Sequence, residues 1–99
     1  MIKVKITKNE FIEEIIITGH ANYSEFGKDI VCSSVSSIVI TTVNGIDKLD
    51  SDYLMVDELT DKLIIKINKK NDICYKLILN MVELLEELSR QYPKNVNVK

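Results

Sequence analysis

Ile2, Val4 and Ile6 alternate with Lys3, Lys5 and Thr7, and a period of two gives a strand with one apolar face that must be covered. Phe11 to Thr18 reads as a second strand. Its consecutive Ile15, Ile16 and Ile17 lead to the expectation of burial on both faces. Lys8-Asn9-Glu10 lies between them as a turn carried by Asn9, so the two strands form a hairpin. From His20 to Lys28 no period is visible, and this loop draws backbone freedom from Gly27. The period then lengthens. Val31, Val35, Ile38, Thr42 and Ile46 follow helical spacing, with Asp29 as the N-cap of a helix running to about Leu49. Its β-branched residues oppose local propensity, so tertiary packing has to hold it.

The pattern repeats. Tyr53 to Leu59 and Leu63 to Asn68 read as strands around Thr60-Asp61. Asn71 or Asp72 caps a second helix to about Gln91, with Ile73, Leu77, Met81, Leu84 and Leu88 as its apolar stripe. Pro93 ends that helix, and Val96 and Val98 supply a short last strand. The order ββαββαβ predicts an α+β fold, a two-layer sandwich of two helices on a largely antiparallel sheet. At 99 residues, with 45% hydrophobic and 28% charged residues, residues 1–99 read as one globular domain.

Composition also excludes function classes. A net charge of −2 offers no basic excess for nucleic acid. No apolar run is expected to approach the roughly 20 residues of a membrane span, and the alternating start lacks the continuous apolar region of a signal peptide. The expected compartment is therefore the cytoplasm. Cys32 and Cys74 stand 42 positions apart in a chain with no export signal, so a disulfide is not expected. One histidine and no Cys-x-x-Cys pair make no zinc site; neither a metal nor a cofactor is implied.

Chemistry concentrates at one place. His20 ends the second strand in Gly19-His20-Ala21, and Cys32 follows twelve positions later, in the first turn of the first helix. A thiolate there faces unpaired N–H groups and the positive end of the helix dipole. The same N–H groups suit a developing oxyanion. A neutral histidine within reach can take the thiol proton and return it to a leaving group. At about 100° per residue, Cys32 lies roughly 90° from the Val31–Val35–Ile38–Thr42 direction, at the border of the buried face. Asp29 and Ser36, at i−3 and i+4, share its side. Each residue also has a plainer reading: Cys32 as a small core residue, His20 as a surface or capping residue, Asp29 as an N-cap, Ser36 as a solvated helix position. Cys74, beside Ile73 and Leu77, is assigned to the core.

The stretch Gly19-His20-Ala21, then Gly27, then Asp29-Ile30-Val31-Cys32-Ser33-Ser34-Val35-Ser36 resembles the ribosomal-processing cysteine protease family Prp, also called YsxB-like. Thr42-x-Asn44 on the same helix also fits it. The family usually has alanines where Ser33 and Ser34 stand, a small-for-small change. The resemblance implies that Cys32 is the nucleophile and His20 the general base, with Asp29, Ser36 and Gly19 supporting the site. It implies a mobile loop over residues 21–28, whose Tyr23, Phe26 and Gly27 lie where substrate is met. It further implies homodimers that remove a short N-terminal extension from the precursor of the large-subunit ribosomal protein numbered twenty-seven, after a hydrophobic, aromatic-containing segment. Two other classes compete: a non-catalytic ribosome- or protein-binding module, and a thiol redox sensor.

The same helix carries Ile40 and Val43 away from its main apolar face. It is apolar nearly all round and is expected to have a second burial partner, such as another chain.

Overall fold

The computed structural model describes residues 1–19 and 28–99, with the side chains of Lys28 and Asp29 excepted. The elements run β1 (Ile2–Lys8), β2 (Ile12–Thr18), α1 (Lys28–Leu49), β3 (Leu54–Glu58), β4 (Lys62–Ile67), α2 (Asp72–Gln91) and β5 (Val96–Val98). The sheet order is β3-β4-β2-β1-β5. Every pairing is antiparallel except β1 with β5, which is parallel. This is the ββαββαβ sandwich that the alternating periods predict.

The inward rows of the sheet follow from register. Val4 pairs with Ile17 and Ile15 with Ile65, so these branched side chains stand on one face, where all four are buried. The opposite face carries Lys3, Lys5 and Lys66 exposed, with Lys66 reaching its cross-strand partner Glu14 at 3.8 Å. Ile16 therefore departs from the expectation of burial on both faces. It is only half-buried, paired with Ile64, because the two helices cover one side of the sheet alone.

In α1 the buried residues are Val31, Val35, Val39 and Ile46. Val39 thus replaces Ile38, which is half-buried at the flank. Ser34 and Thr42 donate their hydroxyls back to the carbonyls of Ile30 and Ile38, at 2.9 and 2.8 Å, which satisfies polar groups on an otherwise apolar helix. Ile30–Leu49 is a 20-residue stretch long and apolar enough, by composition, to cross a membrane. That corrects the expectation that no run approaches such a length. A core helix passes the same test, and Val31, Val35, Val39 and Ile46 put one face of α1 into the core it shares with the sheet and α2.

In α2 the stripe is Cys74, Ile78, Met81, Val82, Leu85 and Leu88. The expected Ile73 and Leu84 are exposed at 66% and 39%. The reason is the polar arc of Lys76, Asn80, Glu83, Glu87 and Arg90, which is centred opposite Ile78 and Leu85 and turns Ile73 and Leu84 to the edge. Asn71 is the N-cap, its carbonyl oxygen accepting from the N–H groups of Ile73 and Cys74, both at 3.1 Å. Asn71 also donates to Asp50 at 3.1 Å, and Lys69 reaches the same carboxylate at 3.0 Å. The two together hold the Asp50 carboxyl below its usual range, so this tie persists at neutral pH and is lost as acid protonates Asp50.

Candidate active site

Gly19 closes β2 with φ +84, a conformation open to glycine at little cost. A Cβ added there would fall on the carbonyl oxygen of Met1. The chain can therefore leave β2 toward His20 in this direction only because position 19 has no side chain. Gly19→Ala is expected to cost about 2 kcal/mol or more through left-handed strain and overlap. That corresponds to a fall in Tm of roughly 10 °C for a domain of this size, with a parallel loss of cleavage activity at temperatures where the variant is still folded. An unchanged melting curve and full activity would show that the turn tolerates a Cβ.

Cys32 is the fifth residue of α1, since the helix begins at Lys28. This corrects two expectations: Asp29 is the second helical residue rather than the N-cap, and Cys32 stands one turn further in than the first turn. The orphan N–H groups of the helix start belong to Lys28, Asp29 and Ile30. Helical side chains lean toward the N-terminus, so the Cys32 thiol lies over that turn and the dipole argument survives the shift. The buried face of α1 centres on Val31, Val35, Val39 and Ile46, which leaves Cys32 roughly 55° from it, closer than the expected 90°. Accordingly Cys32 is half-buried and packs against the core. Ser36, one turn later on the same side, is also half-buried.

Ile17 of β2 lines a common cleft with Val35 and Ser36 of α1, so the helix flank one turn after Cys32 faces the last part of β2. His20, Tyr23, Phe26 and Gly27 lie outside the described residues, as does the side chain of Asp29. Cys74 is fully buried, and burial, with the Asp50 carboxylate nearby, pushes its thiol pKa up. Tyr53 beside it is pushed up to about 12 by the same burial. Cys74 thus has the environment of an inert core thiol. Among the described residues no cluster of histidine, cysteine, aspartate and glutamate suited to a metal is present. The cleft also contains Asn44, about two turns beyond Ser36 on the same helix, and Val56 and Glu58 of β3. The sequence pattern does not bring Val56 or Glu58 to the site, because only the sheet order places them beside Ser36.

A half-buried cysteine in the second turn of a helix, on the flank that borders an apolar cleft, suits a thiol nucleophile on an α+β sandwich. The sequence profile of the family described as Cysteine protease Prp matches residues 1–97. The ribosomal processing cysteine protease Prp of Bacillus subtilis is 30% identical, over 83% of this chain and 80% of that protein. A crystal structure of the essential ribosomal processing protease Prp from S. aureus with a substrate peptide superimposes with a TM-score of 0.91 at 27% identity, covering 100% of this chain and 98% of that one. The S. aureus enzyme with a covalently linked product peptide gives 0.87 at 29% identity over 100% of both chains. The chain belongs to the Prp cysteine protease family. It is a cysteine protease whose fold is that of its relatives.

Proposed function

We propose that this protease removes the N-terminal extension of the precursor of the large-subunit ribosomal protein numbered twenty-seven, in the cytoplasm, during ribosome assembly. The placement of Cys32 carries the reading: half-buried over the first turn of α1, on the helix flank that borders an apolar cleft. His20 takes the Cys32 proton as sulfur attacks the scissile carbonyl, and the oxyanion develops beside the first-turn N–H groups. The C–N bond then breaks, the His20 proton leaves with the new amine, and a thioester remains on Cys32. Water activated through His20 hydrolyses that thioester and restores the thiol. Asp29 and Ser36, at i−3 and i+4 from Cys32, are assigned supporting roles, while Tyr23 and Phe26 meet the hydrophobic segment of the substrate. The relative crystallised with a covalently linked product peptide supports the acyl-enzyme route.

The test is incubation of the purified enzyme with the host's full-length precursor, followed by intact-mass measurement. One cut is expected, releasing the extension as a single fragment. A precursor left whole, or a host gene that encodes no extension, removes this substrate.

The enzyme is further proposed to work as a homodimer. Ile30 and Ile40 are 65% and 56% exposed on the outer surface of α1, with Leu84 of α2 also exposed, and such residues ask for a partner. Sedimentation at micromolar concentration is expected to show a species of twice the 11.3 kDa chain mass. A species of single-chain mass alone would refute the dimer.

A further inference from the structure

The helices cover one face of the sheet, and register fixes what stands on the other. Lys62 of β4 pairs with Thr18 of β2, and Thr18 with Lys3 of β1. Two residues along each strand, Ile64 pairs with Ile16 and Ile16 with Lys5, with Asp57 of β3 beside Ile64. Two residues further, Lys66 pairs with Glu14. Lys3 and Lys5 therefore form one line on β1, and Lys62 and Lys66 a second on β4. Only β2 runs between them. At about 4.8 Å per strand the two lines lie about 10 Å apart.

This face is basic although the chain is not. Its four lysines against Glu14 and Asp57 give it +2 in a chain of net −2, so the rest of the molecule carries −4. The overall charge, which argues against nucleic acid, thus averages two unlike surfaces. Lys3, Lys5 and Lys66 are exposed and Lys62 is half-buried. Among the described residues the one ion pair on this face is Lys66 with Glu14, at a loose 3.8 Å. Its outward strand positions hold no aromatic residue and no arginine. Those types anchor protein interfaces, where lysine is depleted. Lysine ammonium groups on flexible stems suit phosphate instead.

We infer that the open face of the sheet is a docking surface for double-helical RNA, held through its backbone. Lys3 and Lys5 contact phosphates of one strand and Lys62 and Lys66 those of the other, across the wide, shallow minor groove. Thr18, between Lys62 and Lys3, faces the 2′-hydroxyls of that groove. With no aromatic platform the face cannot stack unpaired bases, so single strands bind less well. The surface lies on the side of the sheet away from α1 and Cys32, so RNA docking leaves the thiol open.

The test is fluorescence anisotropy of the full chain with a fluorescein-labelled RNA duplex of about 16 base pairs. Four phosphate contacts predict an affinity that falls about 10²-fold between 50 and 200 mM salt. Lys3→Gln combined with Lys62→Gln should weaken binding at least tenfold at 50 mM. Lys48→Gln combined with Lys76→Gln removes the same charge from exposed positions on the two helices and should leave affinity within twofold. Glu14→Gln combined with Asp57→Asn should tighten it at least threefold. None of these six side chains belongs to the core, so melting temperatures should stay near wild type. A B-form DNA duplex, whose minor groove is only about 6 Å wide, should bind more weakly. Absence of binding at 50 mM salt, or a helix-side pair that weakens it as much as the sheet pair, would overturn the proposal. So would a DNA duplex or a single-stranded RNA bound as tightly as the RNA duplex, or displacement of the RNA by poly-glutamate at equal charge.

Discussion

Cys32→Ala is expected to lower kcat/KM for precursor cleavage by about 10⁵-fold or more, the scale on which a lone nucleophile is lost from a covalent protease. His20→Ala should cost about 10²- to 10⁴-fold, the usual contribution of a positioned general base. The fold should survive the cysteine change. Cys32 is half-buried at the flank of α1, and removing one sulfur atom forfeits about 1 kcal/mol of burial. Cys74→Ala supplies the contrast. That thiol is fully buried in the core, so its loss should lower stability by about 1–2 kcal/mol and leave kcat/KM near wild type. A binding module of the same fold predicts that none of these changes matters to its task. A redox sensor predicts dependence on Cys32 without dependence on His20. Wild-type turnover by Cys32→Ala would end the protease reading outright.

Much of this architecture is legible in local periods. The alternation at Ile2–Ile6 gives β1, the Asn9 turn gives the hairpin, and Asn71 before an apolar run gives the start of α2, because each signal is complete within a few residues. The face of α2 was misplaced because two apolar series overlap there. Residues 73, 77, 81, 84 and 88 look as periodic as 74, 78, 81, 85 and 88, and only the position of the charged arc separates them. The Asp29 N-cap failed for a related reason: an aspartate suits the cap and the first turn alike. Non-local features were beyond the reach of such patterns. Nothing in Val56 or Glu58 announces that β3 is the sheet edge, since edge position depends on which strands pair elsewhere. The parallel β1–β5 pair likewise depends on where α2 returns the chain. The site divides in the same way. Cys32, Ser36 and Gly19 stand out as candidates because they lie within one stretch of 18 residues, whereas the cleft beside Ser36 is assembled from α1, β2, β3 and β4.

Alkylation of the folded protein should separate the two thiols by a factor of about 10³ or more at pH 7. The attacking species is the thiolate, and an ordinary thiol with a pKa of about 8.5 is a few per cent ionised at that pH. Cys74 falls below that level, because burial raises its pKa and its sulfur has no exposed surface. It can react only when the domain opens, and opening costs about 5 kcal/mol or more for a natural domain, which sets the factor. Cys32 is half-buried and sits over the helix start, where the dipole favours its ionised form. Labelling of Cys32 with iodoacetamide, read by peptide mass spectrometry, should therefore come first and persist below pH 7. His20→Ala should slow it between about pH 5 and 7, the range in which a histidinium partner stabilises the thiolate. Above the ordinary thiol pKa the variant and wild type should converge, because Cys32 is then ionised in both. Cys74 should join only in denaturant. If both cysteines label together only after unfolding, with no effect of His20, Cys32 is a packing residue and the nucleophile lies elsewhere.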